Sequence, residues 1–141
     1  MNSIIKKCLS FIIIFALISS NLTPVNASNS KKIVVKKVAV KPIESAVKVK
    51  VKISNRYKKK DITYGEEFYV SKKDGNKWKK INWSDEYGFN DVENVIAPKK
   101  SIKKVFTINQ EYLSEKLVKN KIYKIVFKIS GHKKSVKFKI K

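Results

Sequence analysis

The chain has 141 residues, with 33 Lys or Arg against 11 Asp or Glu and a formal charge of +22. So few carboxylates exclude an acidic, calcium-loading protein. The hydrophobic share of 43%, with 11% aromatic, is too high for a disordered basic tail and fits one folded domain.

Residues 1–27 have the three-part layout of a secretory signal. Lys6 and Lys7 precede an apolar run from Leu9 to Ile18, and a polar segment with Pro24 ends in Val25-Asn26-Ala27. The small residues Val25 and Ala27 stand where signal peptidase needs them, so cleavage is expected to leave Ser28 at the N-terminus. The alternative is an uncleaved anchor, but the run is far short of the roughly 20 residues that span a bilayer. Cys8 is the only cysteine and lies before the run, whereas a lipoprotein needs its cysteine just after it. The exported chain would therefore have no thiol, no disulfide, no Cys-type zinc site and no transmembrane anchor. Only Lys6 and Lys7 leave with the segment, so 31 basic residues and 11 acids remain, a charge of +20.

Beyond the leader, apolar and polar residues alternate at period 2 and no helical period is sustained, which predicts strands with one buried face. Residues 28–46 read as an N-terminal segment and a first strand over Ile33–Lys41, with Pro42 limiting its pairing. Residues 47–141 read as the main domain. It opens with Val47, Val49, Val51 and Ile53 on one face of a strand and Lys48, Lys50 and Lys52 on the other. Glu67–Lys72 and Lys77–Asn82 are expected to form a hairpin about Lys73-Asp74-Gly75-Asn76. The segment from Trp83 to Ser101 reads as a connection with room for one short strand around Val92–Ile96. Ser101–Ile108 resumes alternation, and Asn109–Leu117 has room for a single helical turn. The last hairpin sets Tyr123, Ile125, Phe127 and Ile129 against Val136, Phe138 and Ile140 about Gly131. About seven strands in about 110 residues is the count of an all-β, immunoglobulin-like antiparallel sandwich.

Specific segments point the same way. Ile53-Ser54-Asn55, then Thr63-Tyr64-Gly65-Glu66-Glu67-Phe68, then Lys73-Asp74-Gly75-Asn76-Lys77-Trp78 resembles a family of bacterial Ig-like domains found in exported Gram-positive proteins. The likeness continues through Ile96-Ala97-Pro98 and ends at Tyr123-Lys124-Ile125. One departure is Lys119-Asn120-Lys121-Ile122, where the family has Gly before the Tyr; Asn tolerates the left-handed conformation such a corner needs. The resemblance implies a non-catalytic domain and is nearly silent on partners, because this fold serves as spacer, adhesin and binding module alike.

The residues for chemistry are sparse. His132 is the only histidine and reads as an exposed turn residue, without a second ligand or a base at catalytic spacing. Neither an enzyme nor a cofactor is expected. Asp85, Glu86, Asp91 and Glu93 fall in a lysine-free stretch from Trp83 to Pro98, with Asn90 and Asn94 nearby. A calcium loop is conceivable there, but the spacing matches no EF-hand, and an acidic loop folded on a basic sandwich is the simpler reading. Trp78 and Trp83 could form a carbohydrate-stacking surface. Trp78, at the family's Trp position, is expected in the core; Trp83 and Tyr69 are expected to form an exposed aromatic contact pair.

The lysines complete the picture. Of the basic residues 32 are Lys and only Arg56 is Arg. Lys48, Lys50 and Lys52 make a ladder with steps of about 6.8 Å, while Lys124, Lys128, Lys137 and Lys139 occupy the outer face of the last hairpin. An AT-rich genome explains Lys over Arg, and edge-strand lysines block pairing between molecules. Neither explains the excess over acids. These seven lysines are therefore the expected polyanion-binding residues, for an anionic cell-wall polymer or a host's acidic polysaccharide. The attraction would be salt-sensitive and largely sequence-blind, and nothing resembles a module for sequence-specific nucleic acid. The rival expectation is a protein-interaction or adhesion module that uses an edge strand or the Trp83 loop. Either role places the protein outside the cell, released or retained at the surface.

Overall fold

The computed structural model describes residues 31–141, so the expected leader and its cleavage site lie outside the described residues. Eight strands follow in order: β1 (Ile33–Pro42), β2 (Ala46–Asn55), β3 (Ile62–Asp74), β4 (Lys77–Ile81), β5 (Asn94–Ile96), β6 (Ser101–Asn109), β7 (Ile122–Ile129) and β8 (His132–Lys139). All pairings are antiparallel. One sheet has the order β1-β2-β6; the other has the order β4-β3-β7-β8, with β5 also paired to β3. This is the immunoglobulin-like sandwich expected from the alternation.

Each sheet turns its apolar phase inward, because only that arrangement removes both apolar faces from water. From β2 come Val47, Val49, Val51 and Ile53, and from β6 Phe106 and Ile108. Facing them are Ile62, Phe68 and Val70 of β3, Ile81, Ile96, the four inward residues of β7, and Val136 and Phe138 of β8. β1 adds Ile33 and lies against β8, which closes one side of the sandwich. The opposite side is closed by polar contacts, described below.

Several differences from the sequence reading have physical causes. The strand total is eight because β5, only three residues long, pairs with Ile62–Tyr64 at the start of β3. β3 begins at Ile62, well before Glu67, and a register shift between Tyr64 and Phe68 gives it two more residues than β7 has opposite. The helical turn shrinks to a 3₁₀ turn over Gln110–Tyr112. Pro42, as its missing N–H requires, pairs only at the end of the β1–β2 ladder, with Val47. His132 is no turn residue: it is the first residue of β8, half-buried and opposite Ile129.

The turns follow the expected chemistry. Gly75 has φ +57° in the two-residue loop between Asp74 and Lys77. Ser130 (φ +47°) and Gly131 (φ +78°) give the β7–β8 hairpin the pair of positive φ values of a type I′ turn. Asn120 adopts φ +63°, so the corner before β7 is kept without the glycine.

That corner is pinned by Tyr123. Its ring is fully buried, and its hydroxyl accepts a hydrogen bond from the Val118 N–H at 2.8 Å. This is the tyrosine-corner arrangement of immunoglobulin sandwiches. Tyr123→Phe strands the Val118 N–H and is expected to cost about 1–2 kcal/mol. Chemical denaturation at unchanged m-value is the check, and a loss under about 0.3 kcal/mol would mean that the corner does not depend on this bond.

Candidate functional site

The sandwich has two outer faces, and both are covered by lysine. On the β1-β2-β6 face the ladder of Lys48, Lys50 and Lys52 is exposed, and the register extends it sideways. Lys36 lies directly opposite Lys52, Lys52 opposite Lys103, and Lys41 opposite Lys48. Strands about 4.8 Å apart thus carry three ammonium stems in one row. The pairing Lys36–Lys52–Lys103 went unseen in the sequence, because it depends on which strands neighbour β2. Like charges directly opposed cost stability, so this row is not there to hold the sheet together.

On the other face, Lys124 pairs with Lys137 and Lys128 with Lys133, while Lys139 lies opposite Ile122. Ser71 is buried between Lys80 and Lys124, its neighbours on the two flanking strands. Aromatic rings are set among these lysines. The Lys124 ammonium stands 4.4 Å and the Lys137 ammonium 5.8 Å from the centroid of Trp78, and Lys80 stands 4.8 Å from that of Tyr69. The structure thus places the two groups of lysines expected from the sequence on separate faces. The first is Lys48, Lys50 and Lys52; the second is Lys124, Lys128, Lys137 and Lys139.

The two tryptophans exchange the roles expected of them. Trp78 is not in the core: Ile81 takes the inward phase of β4, which turns Trp78 out onto the lysine face. Trp83 is not an exposed loop residue. It forms an antiparallel bridge with Leu113, its indole N–H donates to the Phe68 carbonyl at 3.0 Å, and it packs against the core. Its ring stacks on Tyr87 at 4.3 Å and meets Phe68 and Phe89 edge-on. Tyr69 stands on the outer face but half-buried, less exposed than expected. Tyr69 and Trp83 both line one cleft.

That cleft, of about 460 Å³, opens where β3 bulges away from β7. Phe68, Tyr69, Trp83, Phe89 and Phe127 form its walls, and Lys80, Lys128, Lys133 and Glu67 stand around it.

On the side of the sandwich away from β1 and β8, polar residues bridge the sheets. Lys104 of β6 points inward and is only 9% exposed; its ammonium donates to Glu66 of the bulge at 2.8 Å and lies 5.3 Å from the Tyr64 ring. The second carboxylate oxygen of Glu66 accepts from the Asn94 side chain at 3.2 Å. Burial, and then the Glu66 charge, raise the Tyr64 hydroxyl above its ordinary pKa. Lys104 shares the phase of Ile102, Phe106 and Ile108, and that phase was the available signal. Lys134 likewise shares the phase of Val136 and Phe138, and burial lowers its pKa. Lys72 of β3 forms an ion pair with Glu115.

Among the described residues no three His, Cys, Asp or Glu side chains come together as a metal site. No helix among them is long and apolar enough to cross a membrane.

The class defined by this geometry is an immunoglobulin-like sandwich with two basic outer faces. Residues 29–139 match the family model of the bacterial Ig-like domain, and the chain belongs to that family. The family is generally non-catalytic and fits a surface or extracellular location. Among curated proteins the chain has no significant match. Among solved structures it is similar to the archaellum periplasmic stator protein FlaG from Sulfolobus acidocaldarius. The identity is 18% and the TM-score 0.42, over 75% of this chain and 99% of that one.

Proposed function

We propose that the protein is an exported, non-catalytic Ig-like module that holds to polyanions of the cell wall or of a surrounding acidic polysaccharide. The observation that carries this is the cross-strand row Lys36–Lys52–Lys103, with the ladder Lys48–Lys50–Lys52 crossing it. Such a cluster is unfavourable in the free protein and favourable under a polyanion, where each ammonium finds a counter-charge. Lysine gives weak geometric selectivity, so the attachment is broad and sensitive to salt. The family match begins at residue 29, so the matched domain lies wholly beyond the expected leader, which is compatible with export of the domain.

The test uses the chain from Ser28 onward on wall preparations at rising salt. Retention is expected to fall by roughly tenfold or more between about 50 and 200 mM salt, and further in Lys36→Gln/Lys52→Gln/Lys103→Gln. Retention undiminished at high ionic strength would sink the electrostatic mechanism. A second reading, docking of a protein partner, is favoured by Val92 and Val95, exposed apolar residues of the Trp83 loop and β5. It predicts the opposite pattern: Val92→Ser/Val95→Ser abolishes retention and the lysine variant keeps it.

A further inference from the structure

The cleft beside β3 differs from the lysine faces in kind. Two extra residues in β3 between Tyr64 and Phe68 part it from β7 and let the outer face reach the rings beneath. The walls are already fixed. Trp83 is held by its bond to the Phe68 carbonyl, and Phe68, Trp83 and Phe89 meet edge-on at 5.3–5.7 Å. A pre-formed aromatic wall takes a flat, partly apolar ligand without an ordering cost.

The polar residues narrow the choice. Lys80, Lys128 and Lys133 supply three ammonium groups against the single carboxylate of Glu67, so an anion is favoured. Glu67 can only accept hydrogen bonds when ionised, which calls for a ligand that also carries hydroxyl donors. A sugar ring bearing a carboxylate or phosphate group meets all three demands. Its C–H face lies on the rings, its anionic group meets the lysines, and a hydroxyl reaches Glu67. Inorganic polyphosphate has no face to stack, and a neutral sugar leaves the ammonium groups without counter-charge.

We infer that this cleft seats an anionic sugar unit of the polymer that the lysine faces attract; the sign of the ligand's charge rests on the polyanion reading. The probes are a galacturonic-acid oligomer, a phosphodiester-linked hexose polymer, inorganic polyphosphate and a neutral hexose oligomer, titrated against the chain from Ser28 onward. At least one ring-bearing anion is expected to bind about tenfold tighter than polyphosphate of equal charge, and the tighter of the two identifies the anionic group. Tyr69→Ala is expected to remove that preference while leaving polyphosphate binding unchanged. Lys133→Gln, at an exposed position, should weaken the sugar anion more than polyphosphate. Equal affinity for ringed and ringless anions, or equal losses in Tyr69→Ala, overturns the cleft and leaves the lysine faces standing. If none of the anions binds, both readings fall.

Discussion

Asn55→Ala is expected to lower the stability of the domain by about 3 kcal/mol, the largest effect of any single polar truncation in this sandwich. Asn55 ends β2 and is 2% exposed, yet it is polar, and its side chain explains why. The amide nitrogen donates to the carbonyls of Lys60 (2.8 Å) and Ile96 (2.9 Å), and the amide oxygen accepts from the Tyr57 N–H at 3.0 Å. One residue thus ties the end of a strand in the first sheet to β5 of the second, and shapes the 56–61 connection between them. Alanine deprives the buried Ile96 carbonyl of its donor and removes the bonds that fix the Lys60 carbonyl and the Tyr57 N–H, losses that together come to about 3 kcal/mol. For a domain of this length the melting temperature should fall by roughly 10–15 °C. Asn55→Asp is expected to be at least as harmful: a carboxylate can still accept from Tyr57 but faces two carbonyl oxygens that need a donor. A thermal midpoint for Asn55→Ala within about 2 °C of the parent would refute the role assigned to this residue.

Asn55 also marks what could be read in advance. The Ile53-Ser54-Asn55 segment was identifiable as part of a family pattern, but its purpose was not, because the bonds to Ile96 and Lys60 need the second sheet in place. Alternation in β2, β7 and β8 was strong enough to fix which residues face inward, and all of them do. The start of β3 is illegible in the sequence: Thr63-Tyr64-Gly65-Glu66-Glu67 has no clean period, and the bulge it forms carries a partly buried ion pair on one side and a cleft on the other. Trp78 shows how two signals can conflict. Its offset of three from the inward Ile81 points it outward, whereas the family position suggested the core, and the local alternation prevailed. The place of Trp83 is hidden for the opposite reason, since nothing local reveals that residues 82–84 run beside 112–114.

The bulge is also where a charge substitution should have its largest and most lopsided effect. Glu66→Gln is expected to cost about 2 kcal/mol, because Lys104 would keep its ammonium in a 9% exposed site with no counter-charge. Lys104→Met should cost far less. It removes the buried charge outright and leaves the Glu66 side chain, 39% exposed, free to meet water and still able to accept from Asn94. The double variant should then resemble Lys104→Met alone, and a double-mutant cycle should return a coupling of about 1–2 kcal/mol, read from denaturation midpoints at constant m-value. Additive losses would mean that the pair does not act as a unit. Glu66 precedes Glu67, which lines the cleft, so the ion pair also bears on ligand binding. If Lys104 and Asn94 hold the bulge in its open register, Glu66→Gln should weaken binding of the sugar anion as well as the fold, while Lys104→Met, in which the Asn94 bond survives, should weaken it less.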